Sequence, residues 1–364
     1  MKFMSTWYDH IHHGGKRRDG ARISGRGKEA MIDFSVNVTP LGIPDNIKKA
    51  MEESLERAGW YPDDSKFNLK HAISEKYHIL PDWICMGNGA SDVIFRLVFA
   101  LRPKRAVVLA PTFAEYEAAL RCVDAKIDHY AIDHKDFEVK SDLLNRIRKD
   151  TDILFLCNPN NPTGLLMTKA QVEEVLLRCE ETDTWLAVDE CFLEFVEDGE
   201  SYSVMDRLKD HPKLCIIKSF TKMFGIAGLR LGYLLCSKEG MADRVDHFGC
   251  DWNINCVAEA AGLEALRSEA YEEEVRTYIA KERKWLREAL LELNLEVIDG
   301  RANYLLFKAS KADREPLGEL LLKRGIMIRC CDDYENMTGD YYRIGINTHE
   351  MNCKLVEEIE GWMR

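Results

Sequence analysis

The stretch Asp152-Ile-Leu-Phe-Leu-Cys-Asn-Pro-Asn-Asn-Pro-Thr-Gly164 joins a short apolar run to a polar loop. The apolar run has the length of a buried strand. In the loop, two prolines flank a pair of amides, so the backbone is stiff and one side-chain amide can be held in a fixed position. The loop is either an ordinary turn or a ligand-binding loop at the carboxyl end of a parallel strand.

Similar apolar runs alternate with amphipathic ones between Trp83 and Ser237. We predict strands at 106–110, 152–157, 185–188, 214–217 and 231–235, and helices at 90–101, 113–123 and 168–181. This alternation predicts an α/β fold with a mostly parallel sheet that is covered on both faces.

After residue 237 the pattern changes to longer helices at 257–267 and 269–293, short strands at 304–307, 327–329 and 342–346, and a last helix that ends near Trp362. These elements predict a smaller α+β domain. The N-terminal residues are polar and Gly-rich, so we expect them to lie across another domain or a partner subunit. The predicted organisation is an N-terminal arm at 1–44 that joins the small domain, a large domain at 45–245 and a small domain at 246–364.

Charge and cysteine content exclude several classes of protein. The 364 residues carry a formal charge of −12, which favours a small-molecule partner over nucleic acid or an anionic membrane. The 12 cysteines include no C-x-x-C pair, which indicates reduced thiols rather than disulfides or zinc ligands. No apolar stretch has the length of a signal peptide or a membrane span, so we expect a soluble, cytoplasmic protein.

Four loops that follow predicted strands carry unusual residues at one edge of the sheet. Gly87-Asn88-Gly89-Ala90-Ser91 can turn tightly and present free N–H groups to a phosphate. The loop at 158–164 is the second. Asp189 ends an apolar run. Burying a carboxylate there costs free energy unless a cation accompanies it, so Asp189 is a cofactor partner or a capping residue. Lys222 follows another strand, where desolvation makes an amine a nucleophile and base. Each loop also fits an ordinary turn, cap or surface lysine, but their coincidence at one edge indicates a site.

These motifs resemble a known superfamily over nearly the whole chain. The chain has Asn-Pro-x-Asn-Pro-Thr-Gly, then Asp189, then Ser219-x-x-Lys222 followed by Gly-Leu-Arg230-x-Gly. In this it is similar to the fold-type-I pyridoxal-phosphate (PLP) enzymes, the class I/II aminotransferase superfamily. The resemblance implies a large domain with a mostly parallel seven-stranded sheet, a smaller α+β domain, pyridoxal 5'-phosphate as cofactor and a homodimer.

The resemblance also implies a role for each motif residue. Lys222 would be the catalytic residue that binds the cofactor as a Schiff base and moves protons, and Asp189 would keep the ring nitrogen protonated. Among the other cofactor contacts, Asn161 would bond the phenolic oxygen, Ser219, Arg230 and the amides of Ala90 and Ser91 would hold the phosphate, Phe113 would stack on the ring, and Tyr61 would reach the phosphate of the neighbouring subunit.

Two branches of the superfamily resemble the chain most, the L-threonine-O-3-phosphate decarboxylases of cobalamin biosynthesis and the histidinol-phosphate aminotransferases. Phe192, in Asp189-Glu-Cys-Phe192, stands where the aminotransferases usually have a tyrosine, and it favours the decarboxylases. The substrate contacts implied by the decarboxylase resemblance are His13 and Gly14 of His13-Gly14-Gly15, Asn37 of Asp33-Phe-Ser-Val-Asn37, Asn161, and two arginines, Arg329 and Arg343. Arginine suits this role because its planar fork binds phosphate or carboxylate bidentately.

The decarboxylase interpretation predicts conversion of L-threonine O-3-phosphate to 1-aminopropan-2-yl phosphate and carbon dioxide. The aminotransferase alternative breaks the Cα–H bond instead and needs a 2-oxo acid. Lys16, Thr39 and Cys191 depart from the decarboxylase pattern, so the substrate detail stays open.

Two other functions fit the sequence less well. A PLP-binding transcriptional regulator would need a DNA-binding domain, whereas the fold extends over all 364 residues of this acidic chain. His10, His12 and His13 are close in sequence, but no carboxylate or thiolate accompanies them at a fixed spacing, so we expect no metal site.

Overall fold

The computed structural model describes residues 14–364. Its strands are β1 (Ile32–Asp33), β2 (Ile84–Gly87), β3 (Arg105–Ala110), β4 (Lys126–Ala131), β5 (Ile153–Cys157), β6 (Trp185–Asp189), β7 (Leu214–Ser219), β8 (Gly232–Cys236), β9 (Glu296–Val297), β10 (Tyr304–Lys308), β11 (Ile326–Met327), β12 (Arg329–Cys330) and β13 (Tyr341–Gly345). Its α-helices are α1 (Arg17–Ser24), α2 (Asp45–Ser54), α3 (Phe67–Tyr77), α4 (Ala90–Leu101), α5 (Glu115–Arg121), α6 (Lys169–Glu181), α7 (Met241–Asp246), α8 (Cys256–Ala265), α9 (Glu269–Glu292), α10 (Leu317–Lys323) and α11 (His349–Met363). Short 3-10 helices lie at Lys28–Ala30, Leu55–Arg57, Pro81–Trp83, Ser141–Arg146, Leu193–Phe195, Gly199–Ser201, Met205–Arg207 and Ala227–Leu229.

The large sheet has 7 strands in the order β2-β8-β7-β6-β5-β3-β4. Neighbours from β4 to β7 are parallel, whereas β8 runs antiparallel to both β7 and β2. The predicted mostly parallel α/β sheet is therefore confirmed. Because β8 runs in the opposite direction, its first residue lies at the edge where β2, β5, β6 and β7 end.

The central strands are buried at every position, as β5 and β7 show. Strands covered on both faces require continuous apolar runs, and this is why their sequences lack the alternation of a half-exposed strand. Helix α6 begins with a capping box, in which Thr168 Oγ1 accepts from Gln171 N and Gln171 Oε1 accepts from Thr168 N at 2.8 Å. In the described residues no helix is long and apolar enough to cross a membrane.

A second, antiparallel sheet lies in the C-terminal part of the chain, with the strand order β12-β13-β10-β9. The described part of the N-terminal arm packs there too. Strand β1 pairs in parallel with β11, Ile32 opposite Ile326. Four apolar side chains of the arm and the C-terminal segment form a small buried cluster, namely Ala21, Met31, Leu322 and Met327.

Several elements differ from the sequence prediction, and three of them have a clear physical reason. The single strand predicted at 327–329 is wrong, because the chain changes sheets at Ile328, so that β11 pairs with β1 and β12 with β13. Strand β4 was not predicted because it is an edge strand whose polar residues are partly exposed. Helix α5 is shorter than predicted, since its helical hydrogen bonds begin with Ala118 N donating to Ala114 O, and Phe113 therefore lies in the preceding loop.

Candidate active site

The carboxyl edge of the large sheet gathers the four loops that the sequence singles out. Cys157, the last residue of β5, lies opposite Asp189, the last residue of β6. Ser219 at the end of β7 lies opposite Gly232, and Gly232 also lies opposite Gly87 at the end of β2. The register of the sheet thus brings together segments that are far apart in the chain.

Asp189 is a buried carboxylate that neutral groups hold in place. It is 5% exposed. Its Oδ2 accepts from the Tyr116 hydroxyl at 2.6 Å and its Oδ1 accepts from Cys191 N at 3.0 Å. Within residues 14–364 it forms no ion pair, so a cationic ligand would stabilise it. The protonated ring nitrogen of PLP is such a cation.

Tyr116 is a site residue that the sequence reasoning missed. Its ring stacks on Phe155 at 4.9 Å and meets the ring of Phe113 edge-on at 5.6 Å. Burial and the charge of Asp189 raise the pKa of Tyr116 well above its ordinary value, so the hydroxyl stays protonated and donates a hydrogen bond to the carboxylate. Its position three residues after Phe113, in Pro-Thr-Phe-Ala-Glu-Tyr, was the available clue.

The opposite end of the site is rich in hydrogen-bond donors. Helix α4 begins at Ala90, and its first N–H groups are free of helical partners. Gly89 has a φ of +87°, which favours glycine, and a Cβ at Gly232 would lie 2.7 Å from the backbone atom Ala90 N, so glycine is required there. The helix N-terminus, the Arg230 guanidinium and the nearby Ser219 hydroxyl fit a phosphate monoester.

Lys222 lies close to this donor-rich end. Its Nζ donates to Ser219 Oγ at 3.3 Å and lies 5.4 Å from the centroid of the Phe192 ring. Its backbone carbonyl accepts from Thr39 N at 3.0 Å, so the N-terminal arm contacts the lysine loop directly. The amine is only half-buried and is therefore accessible to a ligand.

Lys218 precedes Ser219 on β7, and its side chain points to the opposite face of the sheet from that of Ser219, since residues alternate along a strand. Its Nζ lies 3.9 Å from Glu190 Oε2 and 3.7 Å from Glu194 Oε1. Burial raises the pKa of Glu190, and the Ser203 hydroxyl donates to that carboxyl at 2.9 Å. This buried group of charges anchors the loop after β6, and it leaves Lys222 as the available amine.

Asn161 is oriented by two donors. Its Oδ1 accepts from Arg343 Nη1 at 2.5 Å and from the Tyr334 hydroxyl at 3.2 Å. With the oxygen satisfied, the amide NH2 group is the donor that it can offer to a ligand such as the phenolic oxygen of PLP. Tyr334 had no recognisable motif around it, and the sequence reasoning missed it.

The two predicted arginines differ in their partners. Arg343 Nη2 donates to Ser35 O at 2.9 Å, while its Nε is buried without a partner in the described part of the chain. Arg329 donates to both carboxylate oxygens of Asp333, at 2.6 and 2.8 Å, and lies over the Tyr334 ring. Burial lowers the pKa of Arg329, but Tyr334 and Asp333 outweigh burial and raise it. An anionic ligand would therefore compete with Asp333 for Arg329.

The remaining predicted substrate residues lie in the arm. The Asn37 side-chain oxygen is buried without a partner among residues 14–364, so it can accept from a ligand. A Cβ at Gly14 would lie 2.0 Å from Ser35 O, so only glycine fits beside the segment that Arg343 contacts. His13, like His10 and His12, lies outside the described residues.

Tyr61 is not brought into the site of this single chain. It is 78% exposed, and its ring packs against Trp252 at 4.4 Å.

Comparison with known proteins agrees with this geometry. A family model described as aminotransferase class I and II matches residues 29–359. The chain is 34% identical to the threonine-phosphate decarboxylase of Salmonella typhimurium over 351 residues, which is 96% of each protein. The crystal structure of the histidinol-phosphate aminotransferase from Clostridium acetobutylicum has a TM-score of 0.85 at 31% identity, over 92% of this chain and 99% of that chain.

A third similar protein was solved with a ligand. The histidinol-phosphate aminotransferase from Sinorhizobium meliloti, in complex with pyridoxal-5'-phosphate, has a TM-score of 0.84 at 20% identity, over 96% of this chain and 94% of that chain, and it shares the fold. The uncompensated carboxylate, the donor-rich helix N-terminus and the accessible lysine all suit that ligand. The chain belongs to the class I and II aminotransferase family, and pyridoxal phosphate is its cofactor.

Proposed function

We propose that the chain decarboxylates L-threonine O-3-phosphate to 1-aminopropan-2-yl phosphate and carbon dioxide. The observation that carries the proposal is Phe192, whose ring faces the Lys222 amine at 5.4 Å. No hydroxyl is available from this position, whereas the resemblance to the aminotransferases implies a tyrosine there. The 34% identity to a threonine-phosphate decarboxylase over 96% of the chain supports the same substrate.

PLP, when bound, withdraws electrons from the bond that breaks at the substrate Cα. Only a bond perpendicular to the cofactor ring overlaps its π system. The protein therefore selects the bond that breaks by orienting the substrate at Cα. Arg343 has one unused donor, and Arg329 has a carboxylate that a substrate can displace. By holding the anionic groups of the substrate, the two arginines would place the Cα–carboxylate bond in the reactive direction.

Lys222 would act as the general acid after carbon dioxide leaves. Its amine can deliver a proton to Cα because it is half-buried and is not ion-paired among the described residues, whereas Lys218 is fixed by Glu190 and Glu194. Asp189 would accept a hydrogen bond from the protonated ring nitrogen, and the Asn161 NH2 group would donate a hydrogen bond to the phenolic oxygen.

To test the proposal, PLP-loaded protein is mixed with L-threonine O-3-phosphate without any 2-oxo acid, and the amounts of both products are measured over time. We expect sustained release of carbon dioxide and the aminopropyl phosphate over many turnovers. The Lys222→Ala variant is the control, and it should release neither. No release by the parent protein would contradict the proposal.

A second candidate is histidinol-phosphate aminotransferase activity, which the similarity to the Clostridium acetobutylicum enzyme favours. It predicts turnover of histidinol phosphate with 2-oxoglutarate. Phe192→Tyr introduces a hydroxyl beside Lys222, so it should increase any amino-group transfer relative to decarboxylation.

We also propose that the active form is a cytoplasmic homodimer. The exposed Tyr61 packs on Trp252, which is 45% exposed, and the next residue in the chain, Trp60, is 74% exposed. Apolar surface of this kind is typical of a protein–protein contact, and a second copy of the chain would cover it and receive Tyr61 at its cofactor phosphate. Analytical ultracentrifugation should give the dimer mass, and the monomer mass would contradict this proposal.

A further inference from the structure

Three reactive side chains of the C-terminal part of the chain form a cluster that shares no residue with the PLP site. The Cys353 thiol lies 3.6 Å from His349 Nε2. His349 Nδ1 lies 3.1 Å from Glu282 Oε2. The order is therefore thiol, imidazole, carboxylate.

Helix geometry produces this order. His349 and Cys353 are four residues apart on α11, so their side chains lie on the same face of the helix. Glu282 comes from α9, is 3% exposed, and is fixed by a hydrogen bond from Asn352 Nδ2 at 3.0 Å. The ring of Trp285 meets His349 edge-on at 4.6 Å and limits its rotation.

The carboxylate determines which imidazole nitrogen carries the proton. Glu282 can only accept, so Nδ1 of His349 is the donor, and the lone pair of Nε2 faces Cys353. A base that is oriented by a third group and lies next to a thiol is the arrangement that activates a cysteine nucleophile. The side chain of His349 is 56% exposed, so small molecules in solution can reach the pair.

We propose that Cys353 is an activated thiol and a site of reversible covalent modification by low-molecular-weight disulfides. The Cys353 sulfur attacks one sulfur of the disulfide, whose S–S bond breaks as a new S–S bond forms to Cys353. The other half leaves as a thiol, with the proton that His349 accepted from Cys353. The exchange needs no further oxidant.

A purely structural role makes a different prediction. Glu282 and Asn352 join α9 to α11, and they would do so whatever the reactivity of Cys353. In that case Cys353 would react no faster than an ordinary surface cysteine. The chain contains such a reference in Cys122, which is exposed.

The test is the rate at which iodoacetamide alkylates each cysteine of the PLP-loaded protein at pH 7, measured by peptide mass spectrometry. We expect Cys353 to react at least about tenfold faster than Cys122, because His349 can accept the proton of the Cys353 thiol as it reacts. His349→Asn should remove this advantage and leave the rate of Cys122 unchanged. Equal rates in the parent protein, or an unchanged Cys353 rate in the variant, would overturn the proposal.

A second measurement tests the disulfide chemistry itself. Oxidised glutathione should add one glutathionyl group to the Cys353 peptide, dithiothreitol should remove it, and Cys353→Ser should prevent it. Failure to form the adduct on Cys353 overturns the assignment. Glu282→Gln should slow the reaction, and if this buried substitution prevents folding, the exposed His349→Asn still decides the question.

Discussion

Asp189 and Tyr116 show how one hydrogen bond can adjust the cofactor. The Tyr116 hydroxyl donates to Asp189 Oδ2 at 2.6 Å and holds the carboxylate in one orientation. A fixed carboxylate can keep its hydrogen bond with the protonated ring nitrogen of PLP, and the ring needs that proton for electron withdrawal.

Tyr116→Phe should therefore lower kcat by about tenfold or more, the effect of losing one hydrogen bond to a charged group, and leave KM nearly unchanged. The stacking on Phe155 is retained, so the variant should fold. The ¹⁵N chemical shift of ring-labelled PLP measures the cause, and it should move toward the unprotonated value. An unchanged shift would show that Tyr116 acts only through packing.

Arg343→Lys should raise KM by about tenfold or more, because a single ammonium group cannot keep the bonds to Asn161 and Ser35 and also bind a substrate anion. Steady-state kinetics with L-threonine O-3-phosphate measure this. Arg324→Lys is the matched control, because Arg324 is exposed and pairs with Glu358. Its KM should equal that of the parent.

The site could be predicted only where a residue carries its own chemical motif. Lys222, Asp189 and Asn161 follow apolar strands in recognisable loops, and the structure places all three at one edge. Tyr334 lies in Cys331-Asp-Asp-Tyr334, which resembles any surface loop, and its contact with Asn161 depends on tertiary folding. The pairing of Arg329 with Asp333 was missed for the same reason.

At the scale of elements, the buried strands were predictable because a strand covered on both faces needs a continuous apolar run. Edge strand β4 was not, since its six residues mix charged and apolar side chains and pair only with β3. The division between β11 and β12 depends on two distant partner strands, β1 and β13, and local sequence does not reveal them.

Helix α6 offers a test of local stability away from the site. Thr168→Ala removes the side-chain cap of the helix and should cost about 1 kcal/mol in the free energy of unfolding. Urea denaturation measures the loss, and Thr168→Ser should recover most of it. Equal stability of all three proteins would show that the capping box contributes nothing.

Strand β4 is held to its neighbours by Asp128, which accepts from Arg105 at 2.6 Å and from Arg148 at 2.8 Å. Burial alone would raise the pKa of Asp128, but the hydrogen bond and charge of Arg105 outweigh it and lower the pKa below its ordinary value of 3.8. Because the pKa of Asp128 is lower in the folded than in the unfolded protein, its ionised carboxylate stabilises the fold. This stabilisation is complete above the unfolded-state pKa and is lost as the pH falls through the folded-state pKa.

Asp128→Asn should accordingly be less stable than the parent at pH 7, and the difference should close as the pH falls through the lowered pKa of Asp128. Urea midpoints across this pH range measure it. A difference that stays constant with pH would assign the effect to packing instead of charge.

For the whole molecule, cofactor binding and folding are linked. A ligand that binds only the folded state stabilises it by about 2.7 kcal/mol at a hundredfold excess over its dissociation constant. Reconstitution of the apoprotein with PLP should therefore raise Tm by several degrees in calorimetry. Pyridoxal without its phosphate should give a smaller rise, because it leaves the α4 N-terminus and Arg230 unused. Identical thermal unfolding curves with and without PLP would contradict the assigned cofactor contacts.

The pairing of β1 with β11 has a consequence for synthesis of the chain. A ribosome releases Ile32 long before it makes Ile326, so the arm that carries Gly14 and Asn37 has no docking partner until translation is almost finished. Lys222 and Asp189 are made much earlier. Most residues that would contact the coenzyme are therefore present on the nascent chain well before the arm can dock, and the substrate site can be completed only after β11 has been made.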